Sequence, residues 1–297
     1  MRDSRHPLTP DDDHHDAQSR RFAELAEALR DAPPDVDRVE LLEQLLGVEA
    51  CRRLGVQPIP ADFVLSVVIP VFNEAGTVAR VVENVRQAVP ASEIILVDDG
   101  STDGTPQVLA QLSRQFDADC RKHPEARLKI VRHARNRGKG AAVRTGLAHV
   151  TGDAVVIQDA DLEYNPYDLP LLLSPLLDGR ADVVYGTRFA GASRRVTSLW
   201  HRAGNALITL LSNLATGLSL TDVETCYKLF RRDVIQEITP LLRESGFGIE
   251  IEITARLARR RVRFVEQAIG YNARGYGEGK KIGWRDAVRA LWCILRY

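Results

Sequence analysis

Five short apolar runs, each closed by polar or turn-forming residues, constrain this chain more than any other feature. They cover residues 65–71, 93–97, 128–131, 154–157 and 182–185. Runs this short, rich in Val, Ile and Leu and bounded by turn residues, predict buried strands rather than helices. Between them, residues 75–89, a segment from about 105 onward and residues 138–149 carry apolar residues at helical spacing. Strands alternating with helices in short cycles predict an α/β fold: a doubly wound, mostly parallel sheet with helices on both faces. In such sheets ligands sit beyond the carboxyl ends of the strands. The polar residues there are Asn73-Glu74, Asp98-Asp99, Arg135 to Lys139, Asp159 to Asp161 and Arg188. So many ionisable groups converging on one crevice point to an active site.

The remaining sequence bounds the reading. The 297 residues suffice for one large domain with attachments. Lys+Arg and Asp+Glu both number 40, so net charge offers no argument for nucleic acid and none is expected as a partner. Locally, residues 121–144 and 256–263 are basic, which reads either as solvated faces or as an anion-binding rim. Cys51, Cys120, Cys226 and Cys293 are far apart and form no CxxC, so neither zinc nor a disulfide framework is expected. A reducing cytoplasm suits them. Residues 1–19 are polar and rich in Asp and His; they read as a disordered tail with no secretory signal. Residues 20–62 read as a helical extension, broken at Asp31-Ala32-Pro33-Pro34, and residues 63–297 as the main domain. No uninterrupted apolar run reaches the roughly 18–20 residues that span a bilayer.

The fourth run, Val155-Val156-Ile157, ends in Gln158-Asp159-Ala160-Asp161. Two carboxylates held one residue apart at a strand end suit a hard divalent cation, Mg²⁺ or Mn²⁺, bridged to substrate phosphates. Glu163 lies within reach on the same turn. The alternative is an ordinary polar turn. Asp98 and Asp99 suit hydrogen bonds to a base or ribose, or a cap on the helix that follows. Phe72 suits stacking on a base, or the core. Gly138-Lys139-Gly140 has the look of a phosphate loop without full P-loop spacing, and no GxGxxG follows the first strand.

Three segments in order, Ser66 to Glu74, Val97 to Thr105 and Gln158 to Glu163, resemble family 2 glycosyltransferases of the GT-A fold. The dolichyl-phosphate mannosyltransferase-like branch, which loads a sugar onto a polyprenyl phosphate, is the nearest likeness. The resemblance covers about residue 65 to the C-terminus. It implies that Pro70, Phe72, Glu74 and Asp98 or Asp99 cradle the nucleoside. It implies that Asp159, Asp161 and Glu163 form the metal turn, although relatives often carry Gln at the third position. Arg188, in Gly186-Thr187-Arg188, and Arg202, in His201-Arg202-Ala203-Gly204-Asn205, resemble acceptor-phosphate arginines; the alternative for both is a surface ion pair. Arg274 and Lys280 resemble the pair that clamps the donor diphosphate, and Lys139 is assigned to the donor side. Asp222 to Lys228 is similar to the segment closing the acceptor side, whose carboxylates, Asp222 or Glu224, can serve as a base toward hydroxyl acceptors.

The resemblance implies an inverting, metal-dependent transfer of a hexose from a GDP-mannose or UDP-glucose type donor to a polyprenyl phosphate. Two alternatives stay open: transfer to a hydroxyl acceptor in glycan synthesis, or a non-catalytic nucleotide-sugar binding module. Many members of the branch carry C-terminal transmembrane helices and none is read here. Peripheral contact with the cytoplasmic face of a membrane, or a membrane-protein partner, is therefore expected. Two stretches, around residues 200–214 and 284–297, mix Trp, Leu and Arg as interfacial helices do; a core-facing role is the alternative.

Overall fold

The computed structural model describes residues 24, 27, 38–53, 56–119, 127–189, 199–272 and 284–297. The chain divides into two compact units, Met1–Pro58 and Ile59–Tyr297, a boundary four residues ahead of the one drawn from sequence. In the first unit, two short helices are described, α1 (Arg38–Leu46) and α2 (Val48–Arg53). The expected tail, residues 1–19, lies outside the described residues.

The second unit is built on seven strands: β1 (Leu65–Val71), β2 (Ser92–Asp98), β3 (Arg127–Arg132), β4 (Ala154–Ile157), β5 (Val183–Thr187), β6 (Lys228–Arg231) and β7 (Phe264–Ala268). Their order across the sheet is β3-β2-β1-β4-β6-β5-β7. Every pairing is parallel except those of β6, which runs antiparallel to both β4 and β5. The central strands are buried on both faces, which is why β1, β2 and β4 read as unbroken apolar runs instead of alternating ones.

The helices follow from the crossovers. α3 (Val78–Ala88) and α4 (Thr105–Asp119) carry the chain outward from β1 through β2 to β3. α5 (Lys139–Leu147) then returns it past β1 to β4. Right-handed crossovers in opposite directions put their helices on opposite faces. α3 buries Val78, Val81, Val82 and Val85, an i, i+3, i+4, i+7 stripe that seats one side of the helix on the sheet. The direction of winding reverses between β1 and β4, so the crevice forms at their carboxyl ends.

The doubly wound, mostly parallel sheet expected from the sequence is present, with one strand that the sequence reading did not include. β6 inserts between β4 and β5, so these are not neighbours. Its four residues, Lys-Leu-Phe-Arg, are too short and too charged to read as a central strand. Lys228 is fully buried nevertheless, because its ammonium donates to the carbonyls of Val223 and Thr225 and sits 4.7 Å from the Tyr185 ring centre. Among the described residues the unit has five more α-helices: α6 (Leu169–Leu177), α7 (Leu199–Thr216), α8 (Arg232–Ile238), α9 (Ile249–Ala258) and α10 (Trp284–Arg296), the last packed against α7 and α9.

Candidate active site

The ends of β1 and β2 are stitched into one floor. Asn73 takes a left-handed conformation (φ 53°), which Asn tolerates, and its side-chain oxygen accepts from Thr102 N at 2.9 Å. In return Asn73 N donates to Ser101 Oγ and Glu74 N to Thr105 Oγ1, both at 2.9 Å. Glu74 is buried and accepts from Thr77 Oγ1 at 2.7 Å. Pro70, near the end of β1, and Phe72, just beyond it, are partly buried beside this floor.

Asp98 and Asp99 are buried and engaged with the protein. Asp98 Oδ1 accepts from Ser101 N at 2.9 Å, and Arg132 Nε lies 3.1 Å from Oδ2. Asp99 Oδ1 accepts from Arg137 N at 2.9 Å and Oδ2 from Gly138 N at 2.7 Å. His133 Nδ1 adds a 2.6 Å contact to Asp99, and its Nε2 reaches Thr145 Oγ1 on α5 at 2.9 Å. Asp99 thus holds the loop that presents Lys139.

The glycines around Lys139 allow close packing. Gly138 has φ 95°, and a Cβ there would lie 2.2 Å from Ser245 O; one on Gly140 would lie 2.6 Å from Glu244 O. Bare backbone at both positions lets residues 244–246 rest on the start of α5, where Ala141 N donates to Ser245 O at 3.1 Å. That contact brings Glu250, in the first turn of α9, to Lys139.

Lys139 Nζ lies 2.8 Å from Asp159 Oδ1 and 2.9 Å from Glu250 Oε1. Burial opposes its charge, but Asp159, Cys226 and Glu250 outweigh that and hold its pKa well above the ordinary lysine value. The turn after β4 continues through Asp161, whose Oδ1 accepts from Glu163 N at 3.1 Å, to Leu162 at φ 63°. A left-handed Leu costs on the order of 1 kcal/mol. Its side chain, packed against the core, holds the turn in that shape.

Glu163 also makes a contact beyond the turn. Its Oε2 accepts from Tyr271 Oη at 2.7 Å. Among the described residues no three His, Cys, Asp or Glu side chains are grouped to hold a metal. The pair Asp159 and Asp161 fits a cation in the leaner way, one or two carboxylates completed by substrate phosphates. An ammonium already stands at Asp159 where such an ion would go.

On the acceptor side, Arg188 meets Asp222 as a fork. Nε lies 2.7 Å from Oδ2 and Nη2 2.8 Å from Oδ1, and Nη2 also reaches Asn205 Oδ1 at 3.2 Å. Asp222 is fully buried. Burial works against the Arg188 charge, but Tyr164 and Asp222 more than compensate and raise its pKa well above the usual guanidinium value. The Arg188 guanidinium sits 5.1 Å from the Tyr271 ring centre, and Tyr271 stacks on Tyr164 at 5.2 Å. Tyr164 and Tyr227 pack at 4.8 Å, and Tyr227 Oη donates to Gln158 Oε1 at 2.6 Å. These rings join the Arg188 pair to the Asp159 turn.

The surface-pair alternative for Arg188 is therefore excluded, and both oxygens of Asp222 are engaged by Arg188. Arg202 is exposed on α7, one turn before Asn205. Glu224 differs from its neighbours: it is half-buried and has no hydrogen-bond partner. Burial, opposed by Arg188 and reinforced by Asp222 and Glu250, pushes its pKa up to about 6. Arg274 and Lys280 lie outside the described residues. Sequence reasoning missed Glu250 and Tyr271, which carry no motif of their own, and gave no role to Asn205 although it closes the segment quoted around Arg202.

Residues 66–239 match the profile described as Glycosyl transferase family 2. The undecaprenyl-phosphate 4-deoxy-4-formamido-L-arabinose transferases of Salmonella paratyphi B and Salmonella newport are each 30% identical over 220 residues, 73% of this chain. The chain spans 62% of the length of these curated relatives. Glucosyl-3-phosphoglycerate synthase from Mycobacterium tuberculosis, solved with Mn²⁺, uridine diphosphate and phosphoglyceric acid, superposes with a TM-score of 0.60 at 21% identity, over 80% of this chain and 78% of that one. A mannosyltransferase from Pyrobaculum calidifontis, solved with GDP-Man and Mn²⁺, gives 0.53 at 19%, over 94% and 76%. At these identities the structural likeness shows the GT-A fold.

Proposed function

The chain belongs to glycosyl transferase family 2, and from that premise we propose that it moves a sugar from a nucleoside diphosphate donor to a polyprenyl phosphate, with inversion at the anomeric carbon. The observation that carries this reading is the meeting, at the switch point of the sheet, of the Asp159 turn with the buried Arg188–Asp222 fork. One end of the crevice suits a donor diphosphate and the other an anionic acceptor. The names of the curated relatives support the acceptor class, and those of the solved structures support a nucleotide-sugar donor and a divalent metal.

The chemistry follows from charge. An acceptor phosphate oxygen forms a bond to the anomeric carbon as the bond to the donor diphosphate breaks, and the electron pair leaves with the diphosphate. The acceptor is already anionic near neutral pH, so no proton has to be removed. It needs a cation that orients it, and Arg188, itself oriented by Asp222 and Asn205, is that group, with Arg202 at the mouth. On the donor side, Asp159 and Asp161 would hold Mg²⁺ or Mn²⁺, which supplies charge neutralisation for the departing diphosphate. The floor formed by Pro70, Phe72, Asn73 and Glu74 receives the nucleoside, with Asp98 and Asp99 keeping its loops in shape. Arg274 and Lys280 join the diphosphate side on the strength of the resemblance.

A lipid acceptor calls for contact with a bilayer. No described helix is long and apolar enough to cross a membrane. α7 and α10 instead carry outward stripes: Leu207, Leu210 and Leu214 are 52%, 55% and 74% exposed, and Trp292 and Leu295 are 44% and 89% exposed. Exposed Arg202 and Arg296 flank them. An anionic bilayer surface matches both the apolar stripes and the cations.

A second reading has one specific observation in its favour. Glu224, unpartnered and with a pKa of about 6, suits the general base that a hydroxyl acceptor would require. One assay separates the two. The protein is incubated with Mn²⁺ or Mg²⁺, radiolabelled UDP- and GDP-sugars and short polyprenyl phosphates, then extracted with organic solvent. Label in the organic phase that depends on Asp161 supports the lipid acceptor. Label only on a neutral glycan supports the second reading, and no transfer from any donor refutes both. Asp161→Ala should lower turnover by at least about a hundredfold, since electrostatic stabilisation of the leaving group is usually the largest single contribution.

A further inference from the structure

Lys139 is placed where a metal ligand set would place its ion. Its ammonium lies between Asp159 at 2.8 Å and Glu250 at 2.9 Å, and all three side chains are mostly buried. One cation is thus shared by two carboxylates. The sharing is incomplete: Glu250 Oε2 is buried and has no hydrogen-bond partner. A buried carboxylate oxygen without a donor is costly, and native structures seldom keep one without a use. Glu250 sits in the first turn of α9, where the helix dipole favours its negative charge.

We propose that Lys139 is an internal cation that occupies Asp159 until a divalent ion binds there, and that Glu250 is the carboxylate that receives the displaced ammonium on its free oxygen. Lys139 and Glu250 are then positioning residues. The proposal rests on the reading of Asp159 as a metal ligand given above. No backbone movement is required, because Nζ already touches Oε1 and has only to rotate toward Oε2. Gly138 and Gly140 make the exchange feasible by letting residues 244–246 pack on the start of α5 and fix Glu250 at this distance. The device offsets part of the negative charge of the crevice while it is empty. It also makes metal affinity depend on a residue that is not itself a ligand.

Mn²⁺ binding to the full chain tests this without donor, acceptor or turnover, by titration with electron paramagnetic resonance. Lys139→Met should tighten Mn²⁺ binding about tenfold and Glu250→Gln should weaken it about fivefold, within the usual span of coupling between sites. In the Lys139→Met background, Glu250→Gln should change affinity less than about twofold, because no ammonium remains to be received. A charge acting only through space would instead weaken binding equally in both backgrounds, and that result overturns the exchange. So does Lys139→Met binding no tighter than the parent. Should Lys139→Met fail to fold, Glu250→Gln with parental Mn²⁺ affinity overturns it alone. Asp159→Asn separates the premises: if it binds Mn²⁺ as the parent does, the metal reading of Asp159 fails and the exchange with it. If it loses binding while Lys139→Met is unchanged, only the exchange fails.

Discussion

Glu224→Gln should make this protein more stable at neutral and alkaline pH, an unusual outcome for a change inside an active site. Glu224 is half-buried, has no hydrogen-bond partner, and has its pKa raised from 4.5 to about 6, chiefly by burial. Its folded pKa thus exceeds its unfolded one. The stability associated with this group is fully present below 4.5 and is lost as pH rises through 6. A shift of about 1.5 units at about 1.36 kcal/mol each gives a cost of roughly 2 kcal/mol well above pH 6. By the same linkage the cost falls to about 0.8 kcal/mol at pH 5 and about 0.2 kcal/mol at pH 4. Gln has nearly the same shape and no charge, so the variant should recover that amount. Urea unfolding at pH 8, 6, 5 and 4, followed by tryptophan fluorescence, reads the difference directly. A stability gain that does not shrink toward pH 4, or a loss at pH 8, would refute the assignment of a burial-raised pKa to Glu224. Activity on the same samples bears on the acceptor. With a phosphate acceptor the variant should keep most of its turnover, whereas a hydroxyl acceptor would require the carboxylate and turnover would collapse.

Other consequences follow from the same geometry. Asp222→Asn should destabilise the protein by about 3–5 kcal/mol, because it leaves the Arg188 guanidinium buried without its counter-charge; differential scanning calorimetry should show the lower Tm, and an unchanged Tm would mean the fork adds nothing. Gly138→Ala should cost at least about 2 kcal/mol, since φ 95° disfavours any Cβ and Ser245 O stands 2.2 Å from where it would go; the same calorimetry checks it. Replacing Leu207 and Leu210 together by Glu should weaken sedimentation with anionic liposomes by about tenfold or more while leaving the unfolding transition in place, because both side chains are solvent-facing. Equal liposome binding by the variant and the parent would remove α7 from the membrane surface.

The local pattern of the chain determined its strand ends and the chemistry they carry. Apolar runs closed by charge are short-range facts, and parallel strands buried on both faces make them legible. The turn at Asp159 and Asp161 and the floor residues from Pro70 to Glu74 were readable, because each is contiguous; the two helical stretches were readable as helices, but which way their leucines face was left open. β6 was not readable, because its burial depends on carbonyls of the preceding loop that accept hydrogen bonds from the Lys228 ammonium. α9 was hidden in a different way. Ile249-Glu250-Ile251-Glu252-Ile253 alternates like a strand, yet forms a helix whose glutamates are buried by partners from outside it or a turn away.

Pairing was beyond the sequence altogether. Arg188 and Asp222 were each singled out, but nothing local says that they neutralise one another across 34 residues. Nor does anything local say that Lys139 stands between Asp159 and a glutamate from α9, or that Glu224 is left half-buried without a hydrogen bond to the described residues. Residue types and their spacing along the chain determined which charges this protein brings to the mouth of its sheet. Only the tertiary structure decided which of them are spent on one another and which stay available, because the energy of a charge depends on burial and on neighbours a few ångströms away, and both are properties of the packed fold.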